Sequence, residues 1–341
     1  MHIGCVIDPD PPHSGRGIFN EFTINKFLKR QNVSGITIPE LSPDESSFPA
    51  FWSFFPNSLD LCALFLIKKW RGKKIRERLH NAASDCERLF IPHHTLLWAS
   101  PAEMEADVIP YVHDIAPTTS VFAQISTELL NRNCVMRLVE CDTVICASKS
   151  TAQDLLQRTA YSGSLCVVYQ GVDTPEMKPR EVERDIDFLY VGALHERKDP
   201  DFLKKSLTIA QQEGFTCAAV NYEELSLPCQ TYVDISPTEL SRLYSRSRFL
   251  LHSSVLEGFG RTPVEAQLHG AIPLGRDIPI NHEVLGSPNN AWEIISTPQD
   301  VIKTADGDVS TSMRECARQN ASRFKWEQTR EELAAIIFNN S

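Results

Sequence analysis

The chain has no stretch of ~18 or more apolar residues, so none of it is long enough to cross a bilayer as a helix. It has no excess of positive charge: 34 Lys and Arg stand against 44 Asp and Glu, a net charge of -10 at pH 7. Broad nucleic-acid binding needs a basic surface, and this balance argues against it. Ten cysteines are present, yet no two have C-x-x-C spacing. They fit reduced, mostly buried thiols of a cytosolic protein, not a disulfide framework or a zinc site. No G-x-S-x-G elbow supports a Ser-His-Asp hydrolase. The segment from Met1 to Ile7 is too short an apolar run for a secretory signal and reads as a first strand. No internal repeat or low-complexity tract is present.

What is there describes an ordinary globular protein: 341 residues, 42% hydrophobic and 23% charged. That length implies roughly two domains at ~150 residues each. Short apolar runs alternate with helical patterns. Strands are expected at Ile3–Ile7, Ile36–Ile38, Leu89–Ile91, Val108–Val112, Thr143–Cys146 and Leu165–Val168. Helices are expected between them at Gly17–Arg30, Leu61–His80, Gln124–Val139 and Lys149–Gln157. After Val172 the chain turns polar, through Pro175, Pro179 and the charge-dense Glu181–Asp187. The alternation then restarts at Phe188–Val191, Cys217–Val220, Phe249–Leu251 and Ile272–Leu274, with helices at Pro200–Gln212, Pro237–Ser245, Pro263–His269 and Thr311–Arg323. This order implies α/β architecture with parallel sheets and two Rossmann-like, doubly wound domains facing a cleft. The expected division is 1–172, 173–325 and a last helix within 326–341 that crosses back to the first domain.

The segment Glu257-Gly258-Phe259-Gly260-Arg261-Thr262-Pro263-Val264-Glu265-Ala266 carries the most chemistry. A strand precedes it and a helix follows. Gly258 and Gly260 let backbone N–H groups approach a ligand. Thr262 reads as an N-cap with Pro263 at the first helical position. A helix N-terminus offers unpaired N–H groups to an anion. Glu257 and Glu265, when ionised, only accept hydrogen bonds and so suit hydroxyl-rich ligands. A sugar carried on a nucleoside diphosphate has all of these parts.

Six segments in order resemble the retaining glycosyltransferases of family 4, which have the GT-B fold. Ser14-Gly15-Arg16-Gly17-Ile18-Phe19 looks like the family's glycine-rich loop after the first strand. Val112-His113-Asp114-Ile115-Ala116-Pro117 looks like its His-Asp segment. Cys141–Ser148 and Val168-Tyr169-Gln170-Gly171-Val172-Asp173 are similar to its later first-domain motifs. Tyr190–Lys198 resembles the opening of its second domain, and Ser253–Gly260 with Glu265-Ala266 its two-glutamate signature. The resemblance implies transfer of a sugar from a nucleotide-sugar donor to a glycan, lipid-linked or small acceptor, with retained configuration and no metal or cofactor. It makes His113, Arg197, Lys198 and Glu257 catalytic: Arg197 and Lys198 on the donor diphosphate, Glu257 on hexose hydroxyls, His113 at the sugar end. It makes Gly15, Gly17, Gly258, Phe259, Gly260, Thr262 and Glu265 donor-binding, with Glu265 on the ribose. A nucleotide-sugar epimerase and a catalytically silent partner of a transferase are the other readings.

The chain departs from that pattern at Ala193, where the family often carries Arg, at Arg261, which replaces a common Leu, and at His269, which replaces a small residue. Arg16 or Arg261 is available to compensate for the cation missing at Ala193. D-x-D spacing occurs at Asp8/Asp10, Asp185/Asp187, Asp199/Asp201 and Asp306/Asp308, and four occurrences carry little information. His93-His94 lacks partners at zinc spacing and reads as a strand end. Leu61–Arg78 is the one strongly basic patch: seven apolar residues and Trp70 adjoin seven cations. That composition suits peripheral contact of a cytoplasmic protein with the inner face of an anionic membrane, or a helix whose basic face is solvated or meets an anionic acceptor.

Overall fold

A computed structural model describes residues 3–7, 34–37, 80, 86–94, 97, 106–115, 134–173, 182–221 and 226–338. The loop holding Gly15, Arg16 and Gly17 and the basic segment 61–78 lie outside the described residues. The chain divides into two compact units: Met1–Val168 together with Thr329–Ser341, and Tyr169–Gln328.

The first unit is built on a six-stranded sheet. Its strands are β1 (Ile3–Ile7), β2 (Ser34–Thr37), β3 (Arg88–Ile91), β4 (Asp107–Val112), β5 (Thr143–Cys146) and β6 (Ser164–Val167), in the order β2-β1-β3-β4-β5-β6. Every pairing is parallel. A parallel strand covered on both faces reads as a continuous apolar run. β3 and β5 show it, since Leu89, Phe90, Ile91, Val144, Ile145 and Cys146 are all fully buried. Helix α1 (Lys149–Arg158) follows β5 and is capped by Ser148, whose hydroxyl accepts from the Thr151 amide.

The second unit has strands β7 (Ile186–Val191), β8 (Cys217–Asn221), β9 (Gln230–Val233), β10 (Ser247–His252), β11 (Ile272–Gly275) and β12 (Glu293–Ile294). Its helices are α2 (Pro200–Gln212), α3 (Pro237–Arg246), α4 (Arg261–Leu268), α5 (Pro279–Val284), α6 (Pro298–Ala305), α7 (Thr311–Ala321) and α8 (Trp326–Phe338), the last of which runs on into the first unit's segment. The sheet order β12-β11-β10-β7-β8-β9 is again wholly parallel. From β9 it reads third, second, first, fourth, fifth, sixth strand, the doubly wound nucleotide-binding order. The order in which strands are added reverses between β7 and β10, which makes their carboxyl ends the switch point where such sheets bind ligands. Leu189, Leu243, Tyr244, Leu250, Ala266 and Ala271 pack one face of this sheet.

Proline, serine and threonine set the helix starts. α3 and α6 open with full capping boxes at Ser236/Glu239 and Thr297/Asp300, each with Pro at the first position. Gly171 lies against Trp326: a Cβ there would come within 2.4 Å of the Trp326 backbone nitrogen. No larger residue fits without moving α8.

The structure corrects the sequence reading in several places. α4 begins at Arg261, two residues before the expected start, and its N-cap is Gly260 at φ 78°, not Thr262. A left-handed cap suits glycine, which has no Cβ to clash. Strands β9 and β12 and helices α5 and α6 went unread. β9 and β12 are the two edges of the second sheet; β9 is half exposed and β12 has two residues, so neither carries a full apolar run.

Candidate active site

The site is built where the strand order of the second sheet reverses. The loop after β7 carries Gly192 at φ 138°, then Ala193, then a single turn of 3-10 helix at Glu196–Lys198. The loop after β10 carries Ser253 to Gly260. Two hydrogen bonds stitch the loops together. The Val255 amide donates to the Arg197 carbonyl at 2.9 Å. The Ser253 hydroxyl donates to the Lys198 carbonyl.

This stitching brings Arg197, Lys198 and Glu257 into one cluster. Lys198 Nζ donates to Glu257 Oε1. Arg197 Nη1 lies 3.5 Å from Glu257 Oε2, and Ser254 Oγ donates to Oε1 at 2.9 Å. The Glu257 side chain is 7% exposed and that of Lys198 13%. Burial pushes the Glu257 carboxyl up, but Lys198, and then Arg197, overcome it and hold the group down at about 2. Glu257 is therefore a permanent carboxylate at neutral pH. Its Cγ lies 4.0 Å from where a Cβ on Gly260 would sit, so the cluster adjoins the N-terminus of α4. Pro263 has no N–H and the Val264 amide closes the first helical bond, so the amides of Arg261 and Thr262 are what that first turn offers an anion.

Glu265 sits one turn further along α4, held separately. Arg261 Nη2 donates to its Oε1 at 2.8 Å and Tyr244 Oη to its Oε2 at 3.2 Å. Gly258 is buried and the Phe259 ring is 3% exposed. That ring packs among Tyr169 and Phe324, with centroids 6.2 and 5.0 Å away, so Phe259 offers a ligand its backbone.

His113 belongs to the first unit, just beyond β4. Its ring is 8% exposed, shares a hydrogen bond with the Pro92 carbonyl at 2.9 Å, and stacks on His93 at 4.8 Å. His93 in turn stacks on His94, so the adjacent histidines are part of a buried imidazole stack.

Sequence reasoning missed His252, the last residue of β10. It is buried, its Nε2 has no hydrogen-bond partner, and burial followed by the nearby Lys198 charge lowers it to about 3. Its position as the last residue of a strand before a glycine loop was the available signal. Three acidic groups from the D-x-D pairs are engaged elsewhere: Asp185 with Arg246, Asp187 with Arg248, and Asp199 with Arg276 and as the cap of α2.

Two Rossmann-like units in one chain, with a cation–carboxylate cluster at the switch point of the second, define a GT-B protein. No protein-family model matches the chain. It is 28% identical over 189 residues to the O-antigen chain mannosyltransferase RfbU of Salmonella typhimurium, covering 51% of this chain and 53% of the relative. The chain thus spans about half the length of that curated relative. Among solved structures, sucrose-phosphate synthase from Thermosynechococcus elongatus aligns with TM-score 0.72 at 14% identity, over 98% of both chains. S. aureus TarM, crystallised with UDP and alpha-GlcNAc-glycerol, aligns with TM-score 0.59 at 12% identity, over 74% of this chain and 55% of that one. The chain has the GT-B fold, and about half of it is similar in sequence to a mannosyltransferase.

Proposed function

We propose that this chain transfers a sugar from a nucleoside diphosphate sugar to an acceptor, with retention of anomeric configuration. The observation that carries the reading is the meeting of Arg197, Lys198 and Glu257 at the switch point, against the N-terminus of α4. Departure of the leaving group puts charge on the diphosphate. Fixed cations and backbone N–H groups beside it lower that barrier without reorganising. Arg197 supplies a planar fork and Lys198 a compact charge. Glu257 accepts from hexose hydroxyls, Glu265 from ribose hydroxyls, and Gly258, Phe259, Gly260 and Thr262 line the phosphate approach through their backbone. His113 serves the sugar end, and Gly15 and Gly17 let the first loop approach the donor.

In this reading the donor binds mainly to the Tyr169–Gln328 unit and the acceptor mainly to the first. The donor diphosphate takes the acceptor's proton as the glycosidic bond breaks on the same face, with the stabilising charge borne by protein and not by a metal. UDP in the TarM crystal and mannosyl transfer in the name of RfbU support a nucleotide-hexose donor. Among the described residues no helix is long and apolar enough to cross a membrane. The basic segment 61–78 is proposed to meet an anionic lipid surface or an anionic acceptor. Incubation with UDP- and GDP-hexoses and a panel of glycan and lipid-linked acceptors tests the activity. Transfer product is expected; epimerised donor, or binding without turnover, would replace this reading with one of its alternatives.

A further inference from the structure

Arg261 is placed where helix energetics do not want it. It occupies the first position of α4, where a cation opposes the helix dipole. Its pair with Glu265 runs cation first, the weaker order for a pair spaced i,i+4. Its guanidinium is nonetheless 11% exposed and lies over the Trp326 ring, 5.5 Å from its centroid. Its Nε is buried without a partner. A surface-stabilising pair would not bury a guanidinium and leave one of its donors unmet. What the arrangement does achieve is to fix one carboxylate from two sides. Arg261 holds Oε1 and Tyr244, from α3, holds Oε2.

We infer that Arg261 and Tyr244 are positioning residues that set Glu265 to read the two vicinal hydroxyls of a ribose. Each carboxylate oxygen has two lone-pair directions. One on each oxygen is taken by the clamp, which leaves one acceptor direction on each oxygen of a fixed carboxylate. Two neighbouring hydroxyl donors match that pair, and a single hydroxyl does not. Fixing the carboxylate in advance removes the ordering loss that a loose side chain would incur on binding. The inference rests on the assignment of Glu265 to the ribose.

The test is calorimetry with UDP and GDP and their 2′,3′-dideoxy counterparts, on wild type, Glu265→Gln, Arg261→Leu and Tyr244→Phe. Wild type is expected to prefer the ribonucleotide by about 10-fold or more, and Glu265→Gln to lose that preference. Arg261→Leu and Tyr244→Phe are expected to cut it below about 3-fold, and to raise donor KM about 10-fold with kcat within about 3-fold, the signature of lost uniform binding. A merely structural role would lower the melting temperature and leave the ribose preference in place. If Glu265→Gln loses the preference and both clamp variants keep it, the inference falls and the ribose assignment stands. If wild type shows no preference, or binds neither nucleotide, the ribose assignment falls and the inference with it.

Discussion

Replacing Lys198 with Met should separate what the cation does for the fold from what it does for the reaction. In wild type, Glu257 is a carboxylate with 7% of its side chain exposed, held by Lys198, by Arg197 at 3.5 Å and by the Ser254 hydroxyl. Lys198→Met leaves that charge to Arg197, whose side chain is 36% exposed. Breaking a buried pair by removing one partner costs about 3–5 kcal/mol. For a domain of ~150–250 residues each kcal/mol lowers Tm by ~2–4 °C, so the lower figure gives a fall of roughly 6–12 °C. Glu257→Gln, which strands the ammonium, should fall by a similar amount. The double variant removes both charges and should recover most of the loss, with a coupling energy of about 2 kcal/mol or more. Catalysis should not recover with it. The diphosphate still lacks its cation, so kcat/KM should stay at least ~100-fold down, equivalent to about 2.7 kcal/mol of transition-state stabilisation. Calorimetric melting and steady-state kinetics on the three variants decide the matter. Additive Tm losses would refute the coupled cluster. A double variant that regains both stability and turnover would refute the phosphate role.

Other consequences can be measured on the same protein. His252 is held at about 3 in the fold against an ordinary 6.5, so the unfolded chain takes up a proton first as pH falls. Its contribution to stability is complete above about 6.5 and should be ~2 kcal/mol smaller at pH 5, with Glu257 adding a second loss below its ordinary 4.5 towards about 2; a wild-type Tm identical at pH 7.5 and pH 5, or an unchanged slope in His252→Phe, would count against this. Glu265→Gln should weaken binding of a bare nucleoside diphosphate, whereas Glu257→Gln should leave it equal or tighter because Lys198 and Arg197 lose a competing anion; equal losses by calorimetry would overturn the division of roles. Turnover should persist in saturating EDTA, and complete loss restored by Mg²⁺ or Mn²⁺ would contradict a protein-borne charge. Anionic vesicles should co-sediment with the protein at low salt and release it at high salt, since each cation near such a surface contributes ~1 kcal/mol and is screened within about 10 Å at 0.1 M salt; protein that stays in the supernatant at low salt would make 61–78 an ordinary helix or an acceptor face.

The division between what the sequence disclosed and what it hid follows range and burial. Central strands such as β7 and β10 announce themselves because both faces are covered, which forces apolar residues at successive positions. Edge strands face that demand weakly, and β9 and β12 escaped for that reason. The start of α4 was misplaced because Thr262-Pro263 is a good local cap signal, while the real cap depends on Gly260 taking φ 78°, which glycine permits but does not announce. Local rules weigh side-chain preference; the loop is fixed instead by tertiary hydrogen bonds to the loop after β7.

The site shows the same split at closer quarters. Arg197, Lys198, Glu257 and Glu265 were each visible as residues, because their neighbours resemble a known family. Taken singly, they read as two cations for phosphate and two carboxylates for sugars. The structure shows that the first three are not independent: residues about sixty positions apart share one charge balance, made possible by the parallel pairing of β7 with β10. Sequence spacing cannot carry that information, since the separation is set by what lies between the strands. The Arg261–Glu265 pair is the instructive contrast. Its i,i+4 spacing is legible in the sequence, where Arg261 reads as a substitute for the cation absent at Ala193. Only the second partner, Tyr244 from another helix, turns a helix-surface pair into a clamp. A buried charge should therefore be read with its neutralising partner before it is given a ligand, since that partner decides whether the charge is available, fixed or both.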